Sequence, residues 1–265
     1  MVVPATVALL NQKGGVGKTT VTLGLASAAR AAGQRVLVVD LDPQANATWL
    51  LGVDPALAEI TSAELLGAAR AGSAAKAVQA SSWGPQVDLI ASSARLLAHE
   101  GTHQRDAAIR LRKALQGVSD DYELVLVDCA PSLGWITTTG LAAADFALVV
   151  VEPSALSLRG IEAVADTIDA VWEKLNPDID LAGVIVNRVP AISAEADRRL
   201  EELARIMGRR SVWQPSIPAR VIVNQANADR RPIHDYGSRS AEVSAAFDQL
   251  YKKLRRTVRR PSPTS

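Results

Sequence analysis

Six short runs in this chain are apolar at nearly every position: TVALLN (6–11), RVLVVDLD (35–42), VDLIAS (87–92), ELVLVDCA (123–130), FALVVVE (146–152) and LAGVIVN (181–187). A strand with one wet face alternates apolar and polar residues, whereas a run without alternation is covered on both faces. Between the runs lie longer stretches, 18–32, 104–117 and 158–175, whose apolar residues recur at helical spacing. That alternation predicts an α/β fold with a single doubly wound, mostly parallel sheet and helices on both of its faces. The domain is expected to span residues 1–258 and to leave 259–265, RRPSPTS, as a disordered basic tail. The Ala-rich stretch 55–80 reads as helix.

Open sheets of this kind bind ligands beyond the carboxyl ends of their strands. Four of the runs finish there in polar residues: Asn11, Asp40 with Asp42, Asp128 and Asn187. The first is followed by QKGGVGKTT, residues 12–20. Gly14, Gly15 and Gly17 let backbone N–H groups curve around an anion and approach it closely. The helix that begins near Lys18 adds its N-terminal amides and dipole to the same anion site. Lys18 is placed to meet β- and γ-phosphates, and the Thr19 hydroxyl to meet Mg2+. The pattern G-x-x-x-x-G-K-[ST] is broken at its first position, where residue 12 is Gln. Lys13, at the other end of the loop, reads on its own as a solvated cation.

The rest of the composition narrows the setting. No apolar stretch approaches the ~20 residues needed to span a bilayer. Cys129 is the only cysteine, so no intramolecular disulfide forms, and MVVPATVALLNQ lacks the basic start and long apolar core of a secretory signal. A cytoplasmic location is expected. The formal net charge is +1, but it is unevenly divided: residues 1–187 hold 13 Lys and Arg against 20 Asp and Glu, a net −7, and residues 188–265 hold 16 against 8, a net +8. The last third is expected either to build a basic surface for a polyanion or to present solvated helix faces.

KGGVGKTT resembles the deviant Walker A box of the ParA/MinD family of P-loop ATPases, and the resemblance extends over roughly residues 5–250, nearest to the small Soj-like ParA partition ATPases. It implies that Lys13, Gly14, Gly15, Val16, Gly17, Lys18, Thr19 and Thr20 bind ATP, with Lys18 acting in cis and Lys13 reaching the nucleotide of a partner subunit. VLVVDLDPQANAT is similar to the family's second box, which implies that Asp42 positions or activates the attacking water and that Asp40 lies near the magnesium shell. LVLVDCAPSLG is similar to the Walker B segment, with Asp128 holding Mg2+ through water, and PSLGWITTTGLAAAD to the switch that follows. The implied catalytic set is Lys13, Lys18 and Asp42, and the implied metal set Thr19, Asp40 and Asp128.

Asn187 resembles the asparagine that reads the adenine edge; a satisfied amide at a strand end is the other reading. SIPARVIVNQANADRRPIHDYGSRSAEV (216–243) resembles the segment that closes over the base, with Pro218 at the nucleotide, and lies near the family's DNA-binding face. Ile222 stands where many relatives carry arginine, which leaves Arg220, Arg230 and Arg231 nearby and Arg198, Arg199, Arg209 and Arg210 as a second cluster for DNA. The last helix, about 241–260, aligns Val243, Phe247, Leu250, Leu254 and Val258 on one face, and six of the nine residues from Lys252 to Arg260 are basic. It is either a helix docked on the sheet or an amphipathic anchor of the MinD kind; an end poor in bulky apolar residues makes membrane attachment the weaker expectation.

The family implies a magnesium-dependent ATPase of weak basal turnover that forms an ATP-dependent homodimer, binds DNA non-specifically on the nucleoid, and drives chromosome or plasmid segregation when a ParB-like centromere-binding protein stimulates hydrolysis. The alternative is a MinD-like or orphan ParA-like ATPase that positions a division site or other large cargo. With the glycine loop starting at residue 13, no preceding helix-turn-helix domain for operator binding is expected. A metabolic ATPase of the dethiobiotin-synthetase or nitrogenase-reductase type is disfavoured, because the chain has no cysteine pair for a shared cluster and no legible substrate pocket.

Overall fold

Apolar runs that must be dry on both faces need neighbours on both edges and helices above and below, and the computed structural model, which describes residues 4–67, 70–100, 105–155 and 160–259, supplies both. In chain order the elements are β1 (Ala5–Leu10), α1 (Lys18–Ala31), β2 (Val36–Leu41), α2 (Asn46–Leu50), α3 (Ser62–Gly67), β3 (Val78–Ala80), β4 (Val87–Ile90), α4 (Arg105–Ala108), α5 (Arg110–Leu115), β5 (Leu124–Cys129), α6 (Trp135–Ala143), β6 (Phe146–Val151), α7 (Ile161–Lys174), β7 (Asp180–Val186), α8 (Ala194–Met207), α9 (Val221–Ala228) and α10 (Ala241–Val258). The sheet runs β3-β4-β2-β5-β1-β6-β7. Every neighbouring pair is parallel except β3 with β4.

All six residues of β1, β2 and β5 are buried, as their unbroken apolar pattern requires. Alternate side chains serve opposite layers. Val7, Leu9, Val38 and Leu126 pack with α1 and α10, while Ala8, Leu10, Val39 and Val127 pack with the α5, α6 and α7 side. The carboxyl ends of β1, β2, β5 and β7 therefore place Asn11, Asp42, Asp128 and Asn187 along one edge. In the β2–β5 register Asp40 lies directly beside Asp128.

The apolar face expected near the C-terminus is spent inside the molecule. Val243, Phe247, Leu250 and Leu254 of α10 are buried against α1, and a Cβ at Gly24 would lie 2.1 Å from the Phe247 ring, so α1 keeps a glycine where the two helices touch. That burial turns the apolar face of α10 inward, against α1. The basic end is not all solvated either: Arg255 is buried, and its Nη1 donates to the Glu123 carbonyl at 2.7 Å. Among the described residues no helix is long and apolar enough to cross a membrane.

Three sequence expectations are corrected. The Ala-rich stretch 55–80 is not a helix throughout: α3 ends at Gly67, and Val78–Ala80 pair antiparallel with β4, Val78 opposite Ile90 and Ala80 opposite Asp88. Alanine's helix preference, a few tenths of a kcal/mol per residue, is outweighed there by non-local pairing. The 104–117 stretch breaks at Ile109 into α4 and α5, and α10 stops at Val258. Of the tail only Arg259 falls among the described residues.

Phe247→Ala should cost about 3–5 kcal/mol, because the ring fills the space that Gly24 leaves open. Urea unfolding measures it, and a loss below about 1 kcal/mol would contradict the packing.

Candidate functional site

The loop after β1 is built by polar contacts that reach across the sheet edge. Asn11 Nδ2 donates to the Val150 carbonyl at 2.6 Å, and Asn11 Oδ1 accepts from the Lys13 amide at 2.9 Å, which fixes the start of the turn against β6. On the other side Asn187 Nδ2 donates to the Val16 carbonyl at 2.9 Å and Arg188 Nη1 to the Gly15 carbonyl at 2.5 Å. Gly17 is required twice over. Its φ is +88°, and a Cβ there would sit 2.2 Å from Asn187 Nδ2. Gly17 caps α1 with no side chain, so the first amides of the helix face the loop. Thr20 continues that first turn, and Gly14 approaches Pro131 of the segment after β5.

Lys18 is 6 % exposed. Burial lowers its ammonium pKa, and the neighbouring Asp128, Cys129 and Asp42 oppose that shift. Thr19 Oγ1 donates to Asp128 Oδ2 at 2.6 Å and Thr22 Oγ1 to Asp128 Oδ1 at 3.1 Å, so one buried carboxylate ties the first turn of α1 to β5. Asp40 is occupied differently: Oδ1 accepts from the Asp42 amide at 3.0 Å, and Oδ2 from the Thr48 amide and hydroxyl at 2.9 and 2.7 Å. Thr48 in turn accepts from the Ser92 amide at 2.8 Å. Asp42 Oδ1 accepts from the Gln44 amide at 2.9 Å.

Burial raises the pKa of both Asp40 and Asp128; Asp128 adds to the shift of Asp40, while the Thr19 hydroxyl and Lys18 pull Asp128 back. Two desolvated acids side by side beside a threonine hydroxyl are a donor set suited to a hard, oxygen-seeking cation. Among the described residues no group of three or more His, Cys, Asp or Glu could hold a metal. Such a donor set suits a cation that keeps waters and takes phosphate oxygens, the habit of Mg2+. Thr19 and Asp128 are together at that position, whereas both oxygens of Asp40 are committed to shaping residues 42–48.

Lys13 is not a solvated cation. Its Nζ lies 2.5 Å from Glu152 Oε1 and donates to Ser154 Oγ at 3.2 Å. Pro218 lies beside Val189, in a segment that runs parallel alongside β7: the Ile217 amide donates to the Val186 carbonyl at 2.8 Å and the Ala219 amide to the Val189 carbonyl at 2.9 Å. Sequence reasoning passed over Thr22, Thr48, Glu152 and Arg188. Thr22 carried a signal, a polar residue one turn after Thr19 on a buried helix face; Thr48 bonds Asp40 eight residues earlier, and Glu152 and Arg188 act through contacts remote in sequence.

The seven arginines do not form one uniform group. Arg199 pairs with Glu195 and Glu202 at 2.8 and 2.7 Å, Arg198 with Glu195 at 3.4 Å, and Arg220 grips Glu242 through two 2.8 Å contacts. Among the described residues Arg209, Arg210, Arg230 and Arg231 make no ion pair. Arg230 stacks on Trp49 at 4.1 Å and Arg231 on Tyr236 at 5.1 Å, while Ile222 packs against the α1–α10 layer.

Residues 5–181 match the AAA_31 family model, described as an AAA domain. The chain is 33% identical over 250 residues to the sporulation initiation inhibitor protein Soj of Bacillus subtilis, covering 89% of this chain and 94% of Soj. It is 32% identical over 256 residues to the chromosome partitioning protein ParA of Caulobacter vibrioides, covering 95% and 92%. A crystal structure of cobyrinic acid a,c-diamide synthase from Mycobacterium smegmatis, with bound ATP analogue and magnesium, superposes with a TM-score of 0.80 at 27% identity, covering 99% of this chain and 100% of that one.

The acid pair has a consequence for stability. Asp40 is pushed up from 3.8 to about 7, so between those values the folded state holds a proton that the unfolded state has released. Stability without ligand should therefore fall as pH rises from about 4 to 7, with a slope approaching about 1.4 kcal/mol per pH unit for each proton the folded pair holds. Urea midpoints measured across that window test it; a level or rising profile would contradict the mutual burial of the pair.

Proposed function

This chain belongs to the ParA/MinD family of P-loop ATPases, and from that membership we propose that it hydrolyses ATP as a dimer with composite sites, binds DNA without sequence preference, and moves a chromosome or plasmid on the nucleoid when a ParB-like partner stimulates turnover. The observation that carries the reading is the division of labour between the two loop lysines. Lys18 is buried beside Asp128 and Asp42, while Lys13 is held apart at the end of β6. A lysine stationed outside its own phosphate cradle is suited to a second subunit's nucleotide.

In the proposed reaction the loop amides from Gly14 to Thr20 cradle the phosphates, and the Lys18 ammonium neutralises charge that spreads over the γ-phosphate oxygens. Thr19 and Asp128 would hold Mg2+, which would supply further neutralisation of the phosphate charge. Asp42 orients the attacking water from a loop that Asp40 fixes through the Asp42 amide and Thr48. Asn187 and Pro218 flank the place for the base, although the Asn187 amide is partly spent on Val16. Burial makes positioning inexpensive here, since Asp40 and Thr48 have few alternative partners.

For DNA, the unpaired arginines matter most. Arg198, Arg199 and Arg220 must leave Glu195, Glu202 and Glu242 before they meet a phosphate, whereas Arg209, Arg210, Arg230 and Arg231 pair with no acid among the described residues. With an ATP analogue bound, affinity should be indifferent to sequence and fall with salt at about −0.9 per phosphate contact on a log-log scale. Replacing Arg230 and Arg231 by Glu should weaken every duplex alike and flatten that slope, while Arg198→Ala with Arg199→Ala should change it less. Fluorescence anisotropy against salt measures this. Tight binding without nucleotide, insensitivity to salt, or binding to anionic vesicles in place of DNA would overturn the DNA reading.

A further inference from the structure

We infer that Glu152 is a positioning residue that holds Lys13 on its own subunit and so sets the threshold for ATP-dependent dimerisation. The inference rests on the proposed role of Lys13 in trans. Glu152 follows β6 directly, and its Oε1 lies 2.5 Å from Lys13 Nζ, with side chains only 30% and 24% exposed. The contact is thus partly withdrawn from water and less screened than an ordinary surface pair. Ser154 Oγ accepts a second hydrogen bond from the same ammonium at 3.2 Å.

The backbone of the lysine is tied to the same strand. Its amide donates to Asn11 Oδ1, and Asn11 Nδ2 donates to the carbonyl of Val150, two residues before Glu152. Main chain and ammonium are therefore both referred to the end of β6, which gives Lys13 a defined place within its own subunit. To reach a partner's phosphates, the ammonium must turn away from Glu152. The carboxylate is then left half-buried without its cation, a cost borne by the dimer and not by the nucleotide-bound monomer. A dimer has two such contacts, so each one's effect enters the dimer dissociation constant twice.

Glu152→Gln keeps the size of the side chain and removes its charge. If each contact opposes opening by about fivefold, the upper end for an ion pair of this exposure, the dimer dissociation constant should tighten by about 25-fold with saturating ATP. Analytical ultracentrifugation would measure it with Asp42→Ala present throughout to prevent turnover, and a fluorescent ATP analogue should show unchanged affinity for the monomer. Glu152→Asp, which keeps the charge on a shorter arm, should tighten the dimer less. In a Lys13→Gln background, Glu152→Gln should have no effect on dimerisation. Failure of Glu152→Gln to tighten the dimer, or equal tightening in the Lys13→Gln background, would overturn the inference, the latter by showing direct repulsion of nucleotide. If Lys13→Gln alone leaves dimerisation unchanged, it is the trans role of Lys13 that fails.

Discussion

The site hangs on one buried carboxylate. Asp128 receives the Thr19 and Thr22 hydroxyls from α1, lies beside Asp40 in the neighbouring strand, and faces the buried ammonium of Lys18. A charge removed from water must be paired and hydrogen-bonded to be tolerated, and these contacts do so with residues that also define the phosphate loop and the loop of Asp42. Asp128 thereby sets the distance between the helix that follows the glycines and the strand that precedes the switch.

From that centre the two loop lysines diverge in environment. Lys18 is enclosed by acids and stays with its own loop. Lys13 is anchored only at the rim, by Glu152 and Ser154, on a strand end that also fixes Asn11. An internal lysine and a rim lysine joined by a few glycine-rich residues can serve two different nucleotides, provided the rim contact opens. Trp49, in the α2 helix that Asp40 anchors through Thr48, is stacked under Arg230. The segment after β2 and the basic segment around Arg230 are therefore in direct contact.

Sequence revealed what local pattern dictates and missed what distant partners decide. β1, β2 and β5 fell within a residue or so of their runs because strands buried on both faces leave no polar position to blur their ends. The glycine loop was legible because Gly17 answers a steric demand that no other residue meets. β3 was invisible: three partly exposed residues, VQA, become a strand only by pairing with β4. Glu152 appeared merely as the last letter of an apolar run, since its partner lies 139 positions away. The arginines were readable as charge but not as availability. The α8 pairs follow helical spacing, yet the grip of Arg220 on Glu242, 22 residues on, depends on how α10 docks.

The central claim, that two subunits share each nucleotide site, is tested most directly by complementation. Lys13→Ala and Asp42→Ala proteins are each expected to be inactive alone. If Lys13 acts on the partner's nucleotide and Asp42 on its own, as proposed, one site of their mixed dimer carries both lesions and the other carries neither. Steady-state ATP hydrolysis by the mixture should therefore exceed that of either parent. Activity no greater than the sum of the two parents, with mixed dimers present by crosslinking, would contradict a shared site.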